Sequence, residues 1–238
     1  MINIKDTKTK IILCSILFVL LIIVLIFNNG NSIKNNGNNG TVDSNNFKNE
    51  YEALNGKDNG HGGKHLSIDI DRDNPIKYST FDEIMEILEK GTGVIYFGFP
   101  ECPWCRSAVP VLLDAADSTG LDTIYYFNAV DMRDIKELDK NGKVITTKEG
   151  SKEYKQLLDK LNIYLSVYDG LNDNSIKRLY FPTVFFIKDG VVVGKHESTV
   201  ESQLDPSVKL NEEQALELKD IYEHYMLEVL GSSCGQSC

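Results

Sequence analysis

With 238 residues the chain has room for one or two domains and a full core. It carries 35 acidic against 25 basic side chains, a formal charge of −10, which argues against nucleic acid as a partner. Five cysteines are too few for a disulfide framework, but Cys102 with Cys105 and Cys234 with Cys238 form two close pairs.

The first ten residues hold Lys5, Lys8 and Lys10, and Ile11–Phe27 then runs without a charge. As a helix that run rises about 26 Å, near the lower limit for a bilayer span. Basic residues ahead of it predict a cytoplasmic N-terminus and an extracytoplasmic remainder. The run ends Leu25-Ile26-Phe27-Asn28-Asn29 with no small-residue cleavage site, so an uncleaved signal anchor is expected at the cell membrane, single-pass. Cys14 reads as an apolar residue of that helix. Residues 28–65 are rich in Asn, Gly and Ser and predict a flexible tether. His61 and His65 are expected to be solvated linker side chains, not metal ligands, because Gly62 and Gly63 between them deny a rigid frame.

Leu66–Ile70 alternates and predicts a short edge strand. Thr80–Lys90 predicts a helix, with Thr80 and Glu83 as a capping box, Phe81, Ile84, Ile87 and Leu88 on one face, and Gly91 as the stop. Val94–Phe97 predicts a buried strand. A short turn then carries Cys102-Pro103-Trp104-Cys105, and an apolar helical run follows over Ser107–Ala116. The first cysteine of a pair at such a junction sits near a helix N-terminus, whose free N–H groups favour a thiolate. The second, one turn on, is within disulfide reach. Cys102 is thus the expected nucleophile and Cys105 the resolving thiol.

Thr123–Val130 predicts a second buried strand, joined to the first by a parallel crossover. Residues 131–179 are expected to form an inserted helical lobe. It contains a polar turn at 140–143 and an amphipathic helix with Tyr154, Leu157, Leu158 and Leu161 on one side. Two apolar strands flank Asp189-Gly190, a hairpin signal, and Pro182 opens the first of them. Asn211–Leu230 predicts the last helix, capped by Asn211 and Gln214, with Ala215, Leu218, Ile221, Tyr222, Tyr225 and Val229 buried. The 231–238 tail holds Cys234 and Cys238, read as an ordinary tail disulfide or mobile thiols, as a shuttle pair, or as zinc ligands. His196 and His224 read as structural.

The Cys102/Cys105 pair, Pro110 five residues beyond it, Pro182 before an apolar strand, and the Asp189-Gly190 hairpin together resemble the thioredoxin superfamily. Within it the chain is similar to membrane-anchored thioredoxin-like proteins of low-GC Gram-positive bacteria, including the bacteriocin-transport-accessory type. The likeness spans roughly Tyr78 to Leu230. It implies an α/β thioredoxin fold, a central mixed sheet flanked by helices, with the 131–179 insertion and a preceding transmembrane helix. It implies thiol–disulfide exchange on exported proteins, no cofactor, and a membrane thiol donor or acceptor of electrons. It also implies a cis peptide at Pro182, leaving the Phe181 backbone free to pair with substrate. Trp104 is the expected surface contact for substrate. Two departures stand out: Pro103-Trp104 where thioredoxin has Gly-Pro, and Tyr96 where it has a buried aspartate. Tyr96 calls for another proton acceptor near Cys105, with Glu101 or a water as candidates, while the charge of Glu101 would oppose a Cys102 thiolate. The competing classes are a thiol-based metal-binding module and a non-catalytic adaptor for peptide export.

Overall fold

The computed structural model describes residues 40–231. The Ile11–Phe27 run with Cys14, the first part of the expected tether, and Cys234 and Cys238 lie outside the described residues. Among the described residues no helix is long and apolar enough to cross a membrane.

In chain order the elements are α1 (Val42–Glu52), β1 (Ile76–Tyr78), α2 (Phe81–Lys90), β2 (Gly93–Phe97), α3 (Pro103–Thr119) and β3 (Ile124–Phe127). There follow β4 (Ile135–Leu138), β5 (Val144–Lys148), α4 (Lys152–Leu161), a 3-10 turn (Asn162–Tyr164), β6 (Ser166–Val167) and β7 (Lys177–Arg178). The described residues finish with β8 (Thr183–Lys188), β9 (Val191–Glu197) and α5 (Glu212–Leu230). The central sheet has five strands in the order β1-β3-β2-β8-β9. β1 and β2 both run parallel to β3, while β8 is antiparallel to β2 and to β9. The fold is therefore α/β, built on a mixed sheet.

Side chains of the central strands alternate between two apolar layers, as the two-residue period of a strand requires. Val94, Tyr96, Ile124, Tyr126, Val184 and Phe186 join α1, α3 and α5. Ile95, Phe97, Phe127, Phe185 and Ile187 join α2 and α4. All five β2 residues are buried, so both faces of that strand are covered. β2 delivers the chain to the cysteine turn at the seam of the two layers.

The helix ends follow local chemistry. Thr80 and Glu83 form a reciprocal capping box on α2, and Asn211 and Gln214 form one on α5. Lys188 pairs with Val191 across the hairpin, and Asp189 and Gly190 both take positive φ, +51° and +75°, as a two-residue turn matching the sheet twist demands. On α5 the fully covered residues are Leu218, Tyr222, Met226 and Val229, with Ala215, Ile221 and Tyr225 half-buried.

Three expectations need correction. The tether does not extend to residue 65: Val42–Glu52 is a helix whose Phe47 and Tyr51 are wholly buried in the core. Two aromatic side chains one turn apart anchor it despite the polar composition, and Thr41 caps it by accepting the Ser44 N–H. Leu66–Ile70 forms no strand among the described residues. Side chains of the α1 region take its backbone groups instead: Asn55 both donates to Ile68 O and accepts from Ile68 N–H, and Glu52 accepts the Ile70 N–H. Residues 131–179 are not all helical. They hold α4 together with two hairpins, β4–β5 and β6–β7. The β4–β5 turn closes through Asp139, whose carboxylate accepts the N–H of Asn141 and Lys143, with Gly142 at φ +78°.

Candidate active site

Cys102 is the N-cap of α3, with extended backbone, and Pro103 fills the first helical position, where an N–H would have no partner. The Cys102 Sγ accepts the Cys105 N–H at 3.2 Å. Cys102 and Cys105 are both free thiols, 5 % and 0 % exposed. The Cys102 thiol also donates to the carbonyl oxygen of Phe181 at 3.6 Å. The Phe181–Pro182 peptide is cis. Thus β8, which pairs in register with β2, carries Phe181 and Pro182 to the sulfur.

The environments of the two sulfurs push them apart. The Cys102 thiol is held below its ordinary range, first by the hydrogen bond from the Cys105 thiol, then by the Cys105 and Trp104 N–H groups and the Arg133 charge, all against burial. Burial pushes the Cys105 thiol well up, and its bond to Cys102 adds to that. The Phe99 N–H and the Tyr96 hydroxyl offset part of the rise. One thiol that ionises readily beside one that holds its proton is a division that stepwise exchange would need.

The remaining expected residues fall around this pair. Trp104 is half-buried against the α2/α4 layer, and Glu101 is exposed at the turn. The Arg133 charge helps to hold the Cys102 thiol down. Tyr96 is fully buried, and its hydroxyl lies 2.9 Å from that of Tyr51 on α1. The hydroxyl is also packed against the start of the cysteine turn: a Cβ at Gly98 would fall 2.1 Å from it. His196 is half-buried with Nε2 3.0 Å from Thr199 O, and His224 is exposed. Among the described residues no group of three or more His, Cys, Asp or Glu converges as a metal site would require.

Several residues here escape sequence reasoning. Arg106, directly after Cys105, is 0 % exposed, and among the described residues it forms no ion pair. Its guanidinium donates to the carbonyls of Tyr51, Leu66 and Pro100 and to Asn55 Oδ1, tying the segment before the sheet to the cysteine helix. An arginine in the first turn of an otherwise apolar helix was the available signal. Tyr51 and Glu50 lay in a stretch read as tether. Burial raises the Glu50 carboxyl, while the Tyr78 and Tyr126 hydroxyls beside it offset part of the effect. Arg133 sits in the inserted stretch with no motif to mark it.

No protein-family model matches the chain, and no curated protein matches it.

Proposed function

We propose that this chain is a thioredoxin-like thiol–disulfide oxidoreductase, tethered to the membrane by Ile11–Phe27, that acts outside the cytoplasm on exported proteins. The observation that carries this reading is the double contact of the Cys102 sulfur, with the Cys105 N–H and with the Phe181 carbonyl. The first supports a thiolate. The second puts a backbone acceptor, just ahead of β8, against the reacting atom, where a substrate segment can pair.

In the reducing direction the Cys102 thiolate attacks one sulfur of a substrate disulfide. The substrate S–S bond breaks, and the departing sulfur leaves as a thiolate and takes a proton. Cys105 then loses its proton and attacks the Cys102 sulfur of the mixed disulfide, which releases the second substrate thiol. The substrate gains two electrons and two protons, and the enzyme ends as the Cys102–Cys105 disulfide. A membrane thiol donor must return those electrons. Run backwards, the same steps place a disulfide in the substrate and pass two electrons to a membrane disulfide acceptor.

The test is turnover of a peptide disulfide by the full-length chain. Cys102→Ser should abolish exchange. Cys105→Ser should stall at a mixed disulfide visible by mass spectrometry. Exchange that persists in Cys102→Ser, or full biological function without it, would overturn the reading in favour of an adaptor. Stoichiometric soft metal retained by Cys102 and Cys105 after purification under reducing conditions would overturn it in favour of a metal-binding module.

A further inference from the structure

Two arginines have no role in the exchange steps above: Arg133, whose charge acts on the Cys102 sulfur, and Arg178, whose charge acts on Arg133. Arg133 lies in the turn after β3, where its N–H bonds Val130 O at 3.4 Å and Met132 O accepts the Ser151 N–H at 2.9 Å. The turn is therefore pinned to the N-cap of α4. The Arg133 guanidinium stacks 4.5 Å from the centroid of the Phe181 ring, the same residue whose carbonyl receives the Cys102 thiol. Phe99 holds that ring from its edge, with centroids 5.5 Å apart. Arg178, on β7, stacks 4.1 Å from the Tyr168 ring and 5.8 Å from that of Tyr180.

Among the described residues neither guanidinium is paired with a carboxylate. The Arg133 Nε is buried without a hydrogen-bond partner. Burial holds the Arg133 guanidinium below its ordinary range, and the like charge of Arg178 adds to that. With 35 acidic residues in the chain, a local partner would have been easy to supply. Instead two like charges are held near each other over aromatic rings, with the Arg133 Nε–H unspent. Stacked guanidinium forks of this kind suit a carboxylate, which each can bind in two-point fashion.

We propose that Arg133 and Arg178 form a carboxylate subsite beside Cys102, so that the chain selects cysteine segments carrying an acidic side chain or a free C-terminus close to the sulfur. This rests on the thiol–disulfide reading and names its substrate class. The inserted stretch then supplies the specificity and the cysteine turn supplies the chemistry.

The experiment uses the full-length chain with Cys14, Cys234 and Cys238 replaced by serine, so that one pair reacts. Trp104, the single tryptophan, reports oxidation by its fluorescence. Second-order rates are measured with peptide disulfides that differ only in the residue flanking the cysteine: Glu, Gln or Lys, all amidated, plus the Gln peptide with a free C-terminus. The Glu or the free-carboxylate peptide should react about tenfold faster than amidated Gln, with Lys slowest, and the preference should shrink with added salt. Which of the two gains identifies the source of the carboxylate. Arg133→Gln with Arg178→Gln should bring the ratio to about one, and Arg133→Lys should keep part of it. The ratio is the readout because any change in thiolate fraction alters all four rates equally. Equal rates on all four peptides would overturn the subsite and leave the exchange reading standing. A preference that survives in the double variant would overturn its assignment to these arginines. No exchange with any peptide would overturn the proposed function, and the subsite with it.

Discussion

At the scale of single residues, the two sulfurs are told apart by what donates to them. Cys102 collects the Cys105 thiol, two backbone N–H groups and a nearby arginine, so its anion is favoured. Cys105 has full burial and a neighbour that consumes its proton, so its neutral form is favoured. For a thiol, a lowered value means that the anion is lost only as pH falls through it. Alkylation of the reduced chain by iodoacetamide should therefore begin at Cys102 at a pH below the roughly 8.5 of a free thiol. Cys105 should stay unreacted well above that value, and peptide mapping would read both. Reversed order would contradict the assignment of nucleophile and resolving thiol. The Tyr51–Tyr96 hydroxyl pair bears on the second step. Tyr96→Phe leaves the buried Tyr51 hydroxyl unpaired and removes a donor that steadies the Cys105 anion. It should cost about 1–3 kcal/mol in urea unfolding, while Tyr51→Phe with Tyr96→Phe should cost less than the sum of the single changes. It should also slow release of the mixed disulfide relative to its formation.

At the scale of elements, α1 is the piece whose removal matters most for the layer beneath α3. Phe47 sits 4.5 Å from Tyr51 and 5.0 Å from Tyr126, ring to ring, in a cluster that includes Tyr96. Phe47→Ala should destabilise the fold by about 3–5 kcal/mol in denaturant titration, as a buried aromatic truncation does. A change under about 0.5 kcal/mol would restore the view of this segment as a passive tether. The same contrast explains what the sequence revealed. The α2 and α5 capping boxes, the Asp189-Gly190 turn and the alternating strands were legible because each is a local device with its own residue signature. The cysteine pair and Pro182 were legible because residue type alone limits what they do. α1 was not, because Phe47 and Tyr51 are diluted among Asn, Lys and Glu and their stabilisation comes wholly from tertiary burial. Residues 66–70 alternate as a strand does, yet Asn55, Glu52 and Lys48 occupy the backbone groups that a neighbouring strand would have used. The β4–β5 hairpin was within reach, since Asn141-Gly142 lies between two alternating runs, but the amphipathic pattern of α4 dominated the reading of that stretch. Arg133 had no local signature at all; its place above Phe181 is a product of the fold.

At the scale of the whole molecule, the charge of −10 and the local field at Cys102 have opposite signs. Distant acidic side chains are screened over about 8 Å at physiological salt, whereas a guanidinium stacked on the residue that touches the sulfur is not. Arg133 therefore favours the Cys102 thiolate although the chain as a whole is acidic. A group that stabilises the Cys102 thiolate stabilises the dithiol form and raises its tendency to be formed, so the reduction potential moves upward. Removing that charge reverses the sign. Arg133→Gln should make the Cys102–Cys105 couple more reducing, by about 30 mV if the thiolate loses about tenfold in stability, since 30 mV corresponds to about 1.4 kcal/mol for two electrons. The measurement is equilibration in dithiothreitol or glutathione buffers, followed by Trp104 fluorescence, with Cys14, Cys234 and Cys238 replaced by serine. The parent value decides direction. Near roughly −270 mV the couple drives reduction and requires a membrane thiol donor; near roughly −120 mV it drives disulfide insertion into exported chains. A potential that stays put in Arg133→Gln would mean that hydrogen bonds from Cys105 and the first turn of α3 set the poise alone. The inserted stretch would then bear on substrate choice but not on redox drive.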